Sequence, residues 1–139
     1  LLGNVIENKF EFADLKISAQ CNRVNVKDGH LETVNVELGK KASLEDVRKA
    51  FLNFNPLKKY NLPSAPNPPI IIRNENDRPQ PRVDRDAGNG MAVCIGRIRK
   101  CSILDYKFAV LSHNTIRGAA GAAILNAELM MAKGMLKQK

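Results

Sequence analysis

The sequence has no Trp, five Phe and two Tyr, too few aromatic rings to build a surface on which bases stack. Cysteine is also sparse. Three in 139 residues, an odd number, argue against a disulfide scaffold and for reduced thiols, hence a cytoplasmic protein. No apolar run approaches the ~18 residues that a membrane helix needs, so no membrane association is expected. Metal-ligand spacing is missing as well. Cys94 and Cys101 stand seven apart, the two His lie far apart at positions 30 and 113, and there is no CxxC or HExxH, so no metal site is expected. Neither a P-loop nor a G-x-G-x-x-G fingerprint occurs, and the glycines at Gly118 and Gly121 fall inside a helical pattern. The first residues carry no initiator Met, basic n-region or cleavage site, and the expectation is a piece of a longer protein rather than a signal peptide.

What remains is an ordinary globular composition, 44% hydrophobic and 26% charged, in one domain's length of chain. The 22 Lys and Arg exceed the 14 Asp and Glu, giving +8. The densest basic stretch, Arg78 to Arg85, is interleaved with Asp77, Asp84 and Asp86. Such a mixture suits a surface that attracts small phosphorylated molecules better than one that grips nucleic acid, and no nucleic-acid partner is expected.

Residues 15–26 alternate. Leu15, Ile17, Ala19 and Cys21 share one face, which predicts a half-buried strand. The phase then breaks, with Arg23 on the apolar face. Asp28-Gly29 is a hairpin signal, and Val34, Val36 and Leu38 alternate after it. A two-residue turn there sets Lys27 opposite His30 and Arg23 opposite Val34, so Arg23 and His30 share the apolar face roughly 13 Å apart along the strands. Two readings stay open on spacing alone: both residues emerge where the core ends, or the guanidinium and the imidazole bracket a small dicarboxylic molecule. Cys21 lies on the predicted core face, as a buried structural thiol more readily than as a nucleophile lowered by Arg23 and served by His30.

Ser43 and Asp46 form an acidic capping box, and Leu44, Val47, Phe51 and Phe54 an apolar stripe, so a helix runs from Ser43 to the stop at Asn55-Pro56. Residues 56–69 hold five prolines and read as a loop, Ile70 to Ile72 as a short strand. Residues 77–90 read as a long functional loop or interface arm. Met91–Ile98 and Leu104–Leu111 pair as a hairpin. Residues 115–133 form a helix with Asn114 as N-cap and Gly134 as C-cap. Gly118, Ala119, Ala122 and Ala123 give it a small-residue strip suited to a packed domain. Its first N–H groups either bind an anion or are simply capped. His113 reads as a helix-start residue facing solvent or a packed domain. The fold class expected is α+β, a mostly antiparallel sheet with helices on one face.

Four stretches carry a resemblance: CNRVNVKDGHLE (21–32), FNPLKKYNLPSAP (54–66), DRPQPRVDRDAGNGMAVCIGRIR (77–99) and SHNTIRGAAGAAILNAE (112–128). Together they resemble the C-terminal part of aspartate-semialdehyde dehydrogenases of the archaeal and fungal branch, over about residues 11–134. The resemblance implies a catalytic and dimerisation domain over residues 1–111. Residues 112–139 would be a helix returning to a Rossmann domain for NADP, and the assembly a dimer or tetramer. It implies phosphate-dependent interconversion of aspartate β-semialdehyde and β-aspartyl phosphate, through a Cys thioacyl intermediate, in lysine, threonine, methionine and isoleucine synthesis. The family's R-x6-H pattern falls on Arg23, which would hold the substrate α-carboxylate, and on His30, the acid/base. Asn114 matches a position beside the nicotinamide. The family's nucleophile stands in an Asn-Cys-(Ser/Thr) context that this sequence lacks, and its glycine-rich NADP loop is also missing, so the chain alone is expected to be inactive. The resemblance implies that 77–90 meets a second subunit. A malonyl-CoA reductase of the same superfamily, or a non-catalytic dimerisation or basic binding module, are the alternatives.

Overall fold

The computed structural model describes residues 2–136. Two strands, β1 (Gly3–Ile6) and β2 (Lys9–Phe12), form a small antiparallel hairpin. Its turn, Glu7-Asn8, holds positive φ at both residues, +48° and +63°. Sequence reading missed it, because the Asn-Gly or Asp-Gly signature of such turns is absent and only Asn8 tolerates that conformation readily.

The main sheet contains β3 (His30–Val36), β4 (Ile70–Arg73), β5 (Val93–Lys100) and β6 (Tyr106–Ser112), in the order β3-β6-β5-β4. β6 is antiparallel to both neighbours, and β4 runs parallel to β5. The expected α+β class with a mostly antiparallel sheet holds, and so does the hairpin of β5 with β6.

Helix α1 (Leu44–Asn53) starts as its capping box dictates: Ser43 Oγ accepts the Asp46 N–H, and Asp46 Oδ2 accepts the Ser43 N–H. Leu44, Val47 and Phe51 are half-buried against the sheet, while Phe54 lies just past the last turn and is exposed. Phe51 meets Phe108 of β6 edge to face, with centroids 5.3 Å apart.

Residues 77–90 cover the opposite face. They contain one helical turn, α2 (Pro81–Asp84), and pack on their own sheet rather than projecting as a free arm. Gly96 makes the approach possible, since a β-carbon there would lie 2.3 Å from the Arg78 carbonyl oxygen. Within this segment Asp84, the last residue of α2, is 1% exposed.

The last helix begins as a five-residue π turn, Ile116–Ala120, and continues as α3 (Gly121–Ala132). Leu125 of α3 packs with Leu62 and Met91 in a small core. Gly134 ends it as expected. Its N–H reaches the Met131 carbonyl and the Met135 N–H reaches that of Met130, with φ +69° at Gly134.

Three expectations are corrected. Residues 15–26 form no strand. All are exposed, Cys21 among them, and among the described residues β3 pairs with β6 alone. The alternation is genuine, but Gly29 is not a solvent-exposed hairpin tip. It is buried against Leu111, Pro81 and Arg85, and that packing overrides the local turn signal. Asn114 is not the N-cap, because its side chain is committed elsewhere and the π turn has no capping bond from its own N-cap residue, Thr115. His113 does not face solvent. It is 5% exposed and serves the helix start itself.

Candidate functional site

The end of the sheet where β3 begins and β6 ends gathers the candidate residues. His30 is the first residue of β3 and pairs in register with Ser112, the last of β6. Two residues beyond Ser112, Asn114 turns its side chain back. Its Oδ1 accepts the Gly29 N–H at 2.7 Å, joining positions 85 residues apart. The fold therefore brings His30 and Asn114 to one place through Gly29, and His30 is exposed there. Arg23 is not joined to them. It lies in the exposed irregular stretch before β3 and makes no ion pair among the described residues.

His113 braces this corner. Its Nδ1 accepts the N–H groups of Thr115 and Ile116, each at 3.3 Å, and the Thr115 hydroxyl lies 3.2 Å away. A nitrogen that accepts carries no proton, so the neutral ring holds its proton on Nε2, 3.5 Å from Asp86 Oδ1. The helix-start N–H groups that could have drawn an anion are thus partly spent on this ring.

Behind the corner lies a buried ion cluster. Asp84 accepts from Arg78 through both carboxylate oxygens, at 2.6 Å for the Nε bond, and from the Gln80 N–H at 2.8 Å. Arg73 Nε stands 2.8 Å from Asp84 Oδ1 without hydrogen-bond alignment, so its contribution is charge. The Arg78 guanidinium holds the Asp84 carboxyl below the usual carboxylate range. The cluster ties 73, 78 and 84 together under β5, and Pro81 and Arg85 of the same segment form the wall against Gly29.

The thiols divide by environment. Cys94 is buried with Sγ 3.6 Å from the Asp84 carbonyl, and burial pushes its thiol up. Cys101, in the β5–β6 turn, is held below the usual thiol range by the N–H groups of Ile103 and Leu104. Among the described residues no group of His, Cys, Asp and Glu is arranged to hold a metal ion. No helix there is long and apolar enough to cross a membrane. An open cleft of about 490 Å³ borders the helix start, between Pro63–Asn67, Gly88–Met91, Ile116 and Gly121.

Sequence reading missed Gly29, His113 and Asp84 as site-forming residues. Asp84 was hidden in an alternation of charges that reads as solvated surface. His113 stood beside the residue that seemed the better cap. For Gly29 the only signal was the turn that it does not make.

A family described as semialdehyde dehydrogenase, dimerisation domain, matches residues 2–117. The chain belongs to this family. Among its semialdehyde dehydrogenase relatives, the aspartate-semialdehyde dehydrogenase of Archaeoglobus fulgidus is 56% identical over 131 residues, covering 94% of this chain and 37% of the relative. The enzyme of the same name from Candida albicans is 44% identical over 144 residues, 98% of this chain and 40% of the relative. The fold agrees. A crystal structure of the Candida albicans aspartate semialdehyde dehydrogenase with NADP superposes with a TM-score of 0.88 at 44% identity, covering 97% of this chain and 40% of that one. The chain thus spans about two fifths of the length of the relatives it matches.

Proposed function

We propose that this chain is the substrate-binding and dimerisation portion of an NADP-dependent aspartate-semialdehyde dehydrogenase. The reaction would be the phosphate-dependent interconversion of aspartate β-semialdehyde and β-aspartyl phosphate, in the cytoplasm, for lysine, threonine, methionine and isoleucine synthesis. The observation that carries this reading is the juxtaposition of His30 and Asn114 at one sheet end, in a chain of the semialdehyde dehydrogenase dimerisation-domain family.

His30 is the acid/base. Its exposure leaves the ring accessible to a reacting thiol or hydroxyl, and an imidazole nitrogen can accept or donate a proton there. Arg23 holds the substrate α-carboxylate. A guanidinium on an exposed, irregular segment can swing onto a carboxylate and bind it bidentately, ordering residues 15–26 as it does so. The nucleophile is placed outside this sequence, since the Asn-Cys-(Ser/Thr) context of the family does not occur in it: Cys94 is buried, Cys101 sits in the far β5–β6 turn, and Cys21, although exposed, stands between Gln20 and Asn22.

Asn114 fits an NADP carboxamide. Its Oδ1 is taken by Gly29, which leaves the Nδ2 hydrogens as donors for a carbonyl oxygen. NADP, when bound, supplies the hydride acceptor. Residues 112–139 then return to the nucleotide-binding domain. The exposure of Gly118, Ala119, Ala123, Ile124 and Met131 supports that seat. Residues 1–111 make the homodimer or tetramer, with the outer side of 77–90 as one contact.

The test is NADP reduction with aspartate semialdehyde and phosphate, by this chain alone and after mixing with the N-terminal portion of a relative. No activity alone and activity on mixing are expected. Activity of the bare chain would overturn its incompleteness. A formed but inactive complex would overturn the assigned reaction.

A further inference from the structure

The bond between Asn114 and Gly29 does more than join two loops. Gly29 is buried, with φ +108°. A β-carbon on it would lie 3.2 Å from Leu111 Cδ1 and 3.6 Å from the β-carbons of Arg85 and Pro81. In that position its N–H is shielded from water, and Asn114 Oδ1 is the acceptor that satisfies it. The next residue is His30. It opens β3 and forms the last register pair of the β3–β6 ladder, where ladders fray. On the ladder side His30 is held by the pairing with Ser112. On the other side its backbone is fixed by the Asn114 side chain acting through Gly29.

Asn114 is itself held on both sides. Ser112 is locked in β6. The His113 ring is clamped by the N–H groups of Thr115 and Ile116 and faces Asp86. A side chain anchored this firmly is suited to positioning something else.

We propose that Asn114 is a positioning residue for His30. Its Oδ1 fixes Gly29, and thereby where the His30 ring can reach, while its Nδ2 group remains available to the cofactor. The two halves of one amide then couple the sites. An amide drawn upon at Nδ2 becomes a better acceptor at Oδ1, so a seated cofactor tightens the hold on Gly29. The inference rests on the reading of His30 as acid/base.

Two variants separate the halves. Asn114→Ala removes both, whereas Asn114→Asp keeps an acceptor and loses the donors. In the 139-residue chain, Asn114→Ala should speed amide exchange at Gly29 about tenfold, and Asn114→Asp should not. Exchange at Phe108 and Ala109, in the middle of the β3–β6 ladder, reports whether either variant still folds. In the assembled enzyme, Asn114→Ala should lower kcat about tenfold. Asn114→Asp should recover most of that loss while keeping a raised KM for NADP. In a His30→Ala background, Asn114→Ala should cost no further turnover.

Unchanged Gly29 exchange in Asn114→Ala would overturn the positioning contact. So would a loss of turnover that persists in full without His30, or an Asn114→Asp enzyme as slow as Asn114→Ala. Near-normal turnover of His30→Ala itself would instead overturn the acid/base reading, and with it the catalytic half of this inference. The exchange result at Gly29 would then stand by itself.

Discussion

Replacing Asp84 by Asn tests whether the buried ion cluster holds the wall behind the site. The side chain of Asp84 is fully buried, and it accepts from Arg78 twice and from the Gln80 N–H, with Arg73 beside it. Asparagine keeps one acceptor oxygen. Its NH2 must then face a guanidinium, donor against donor, and two half-buried cations lose their counter-charge. Removing one partner of a buried pair costs ~3–5 kcal/mol. The Arg73 and Arg78 side chains are 28% and 20% exposed, so water recovers part of that and about 3 kcal/mol is expected. For a domain of this length the melting temperature should fall by roughly 10 °C. The sign with pH follows from the depressed carboxyl. Its stabilisation is fully present above the unfolded value of about 4 and is lost as pH falls through the lower folded value. Urea melts of both proteins at pH 7 should therefore show the full gap, and the gap should narrow below about pH 4. A gap under about 1 kcal/mol at pH 7, or one that persists undiminished as the carboxyl protonates, would refute the assignment of the charge as the brace.

Other expectations follow from the same corner. In the assembled enzyme, His30→Ala should lower turnover by about 10²–10⁴-fold with an unchanged melting temperature, checked by steady-state kinetics beside calorimetry. Arg23→Ala should raise the KM for the semialdehyde and also lower kcat, because a misplaced carboxylate misaligns the carbonyl; unchanged kinetics would return Arg23 to a surface role. Thiol labelling at neutral pH should modify Cys101 in the folded chain and leave Cys94 unmodified until urea unfolds it, as peptide mass mapping would show.

Local signals that needed no distant partner were readable from the sequence. The capping box at Ser43 and Asp46, the stop near Asn55-Pro56, the β5–β6 hairpin and the C-cap at Gly134 each depend on residues within a few positions of one another. So did the family resemblance, which rests on runs of consecutive residues. The tertiary structure decided the rest. Residues 15–26 alternate like a strand yet find no ladder, because Gly29 is packed against Leu111, Pro81 and Arg85 instead of forming the exposed turn that would fold them back onto the free edge of β3. Asp84, which reads as one charge among several, is buried at 1% exposure because Gly96 lets the Arg78 backbone close over the sheet. Asn114 had the right chemistry for an N-cap and lost that role to His113, since an acceptor was needed by the buried Gly29 N–H, 85 residues earlier at the entry to β3. The sequence by itself determined the family and singled out the candidate residues for its chemistry. Only packing decided which of them meet, because a buried donor must be satisfied by whatever side chain the fold carries to it.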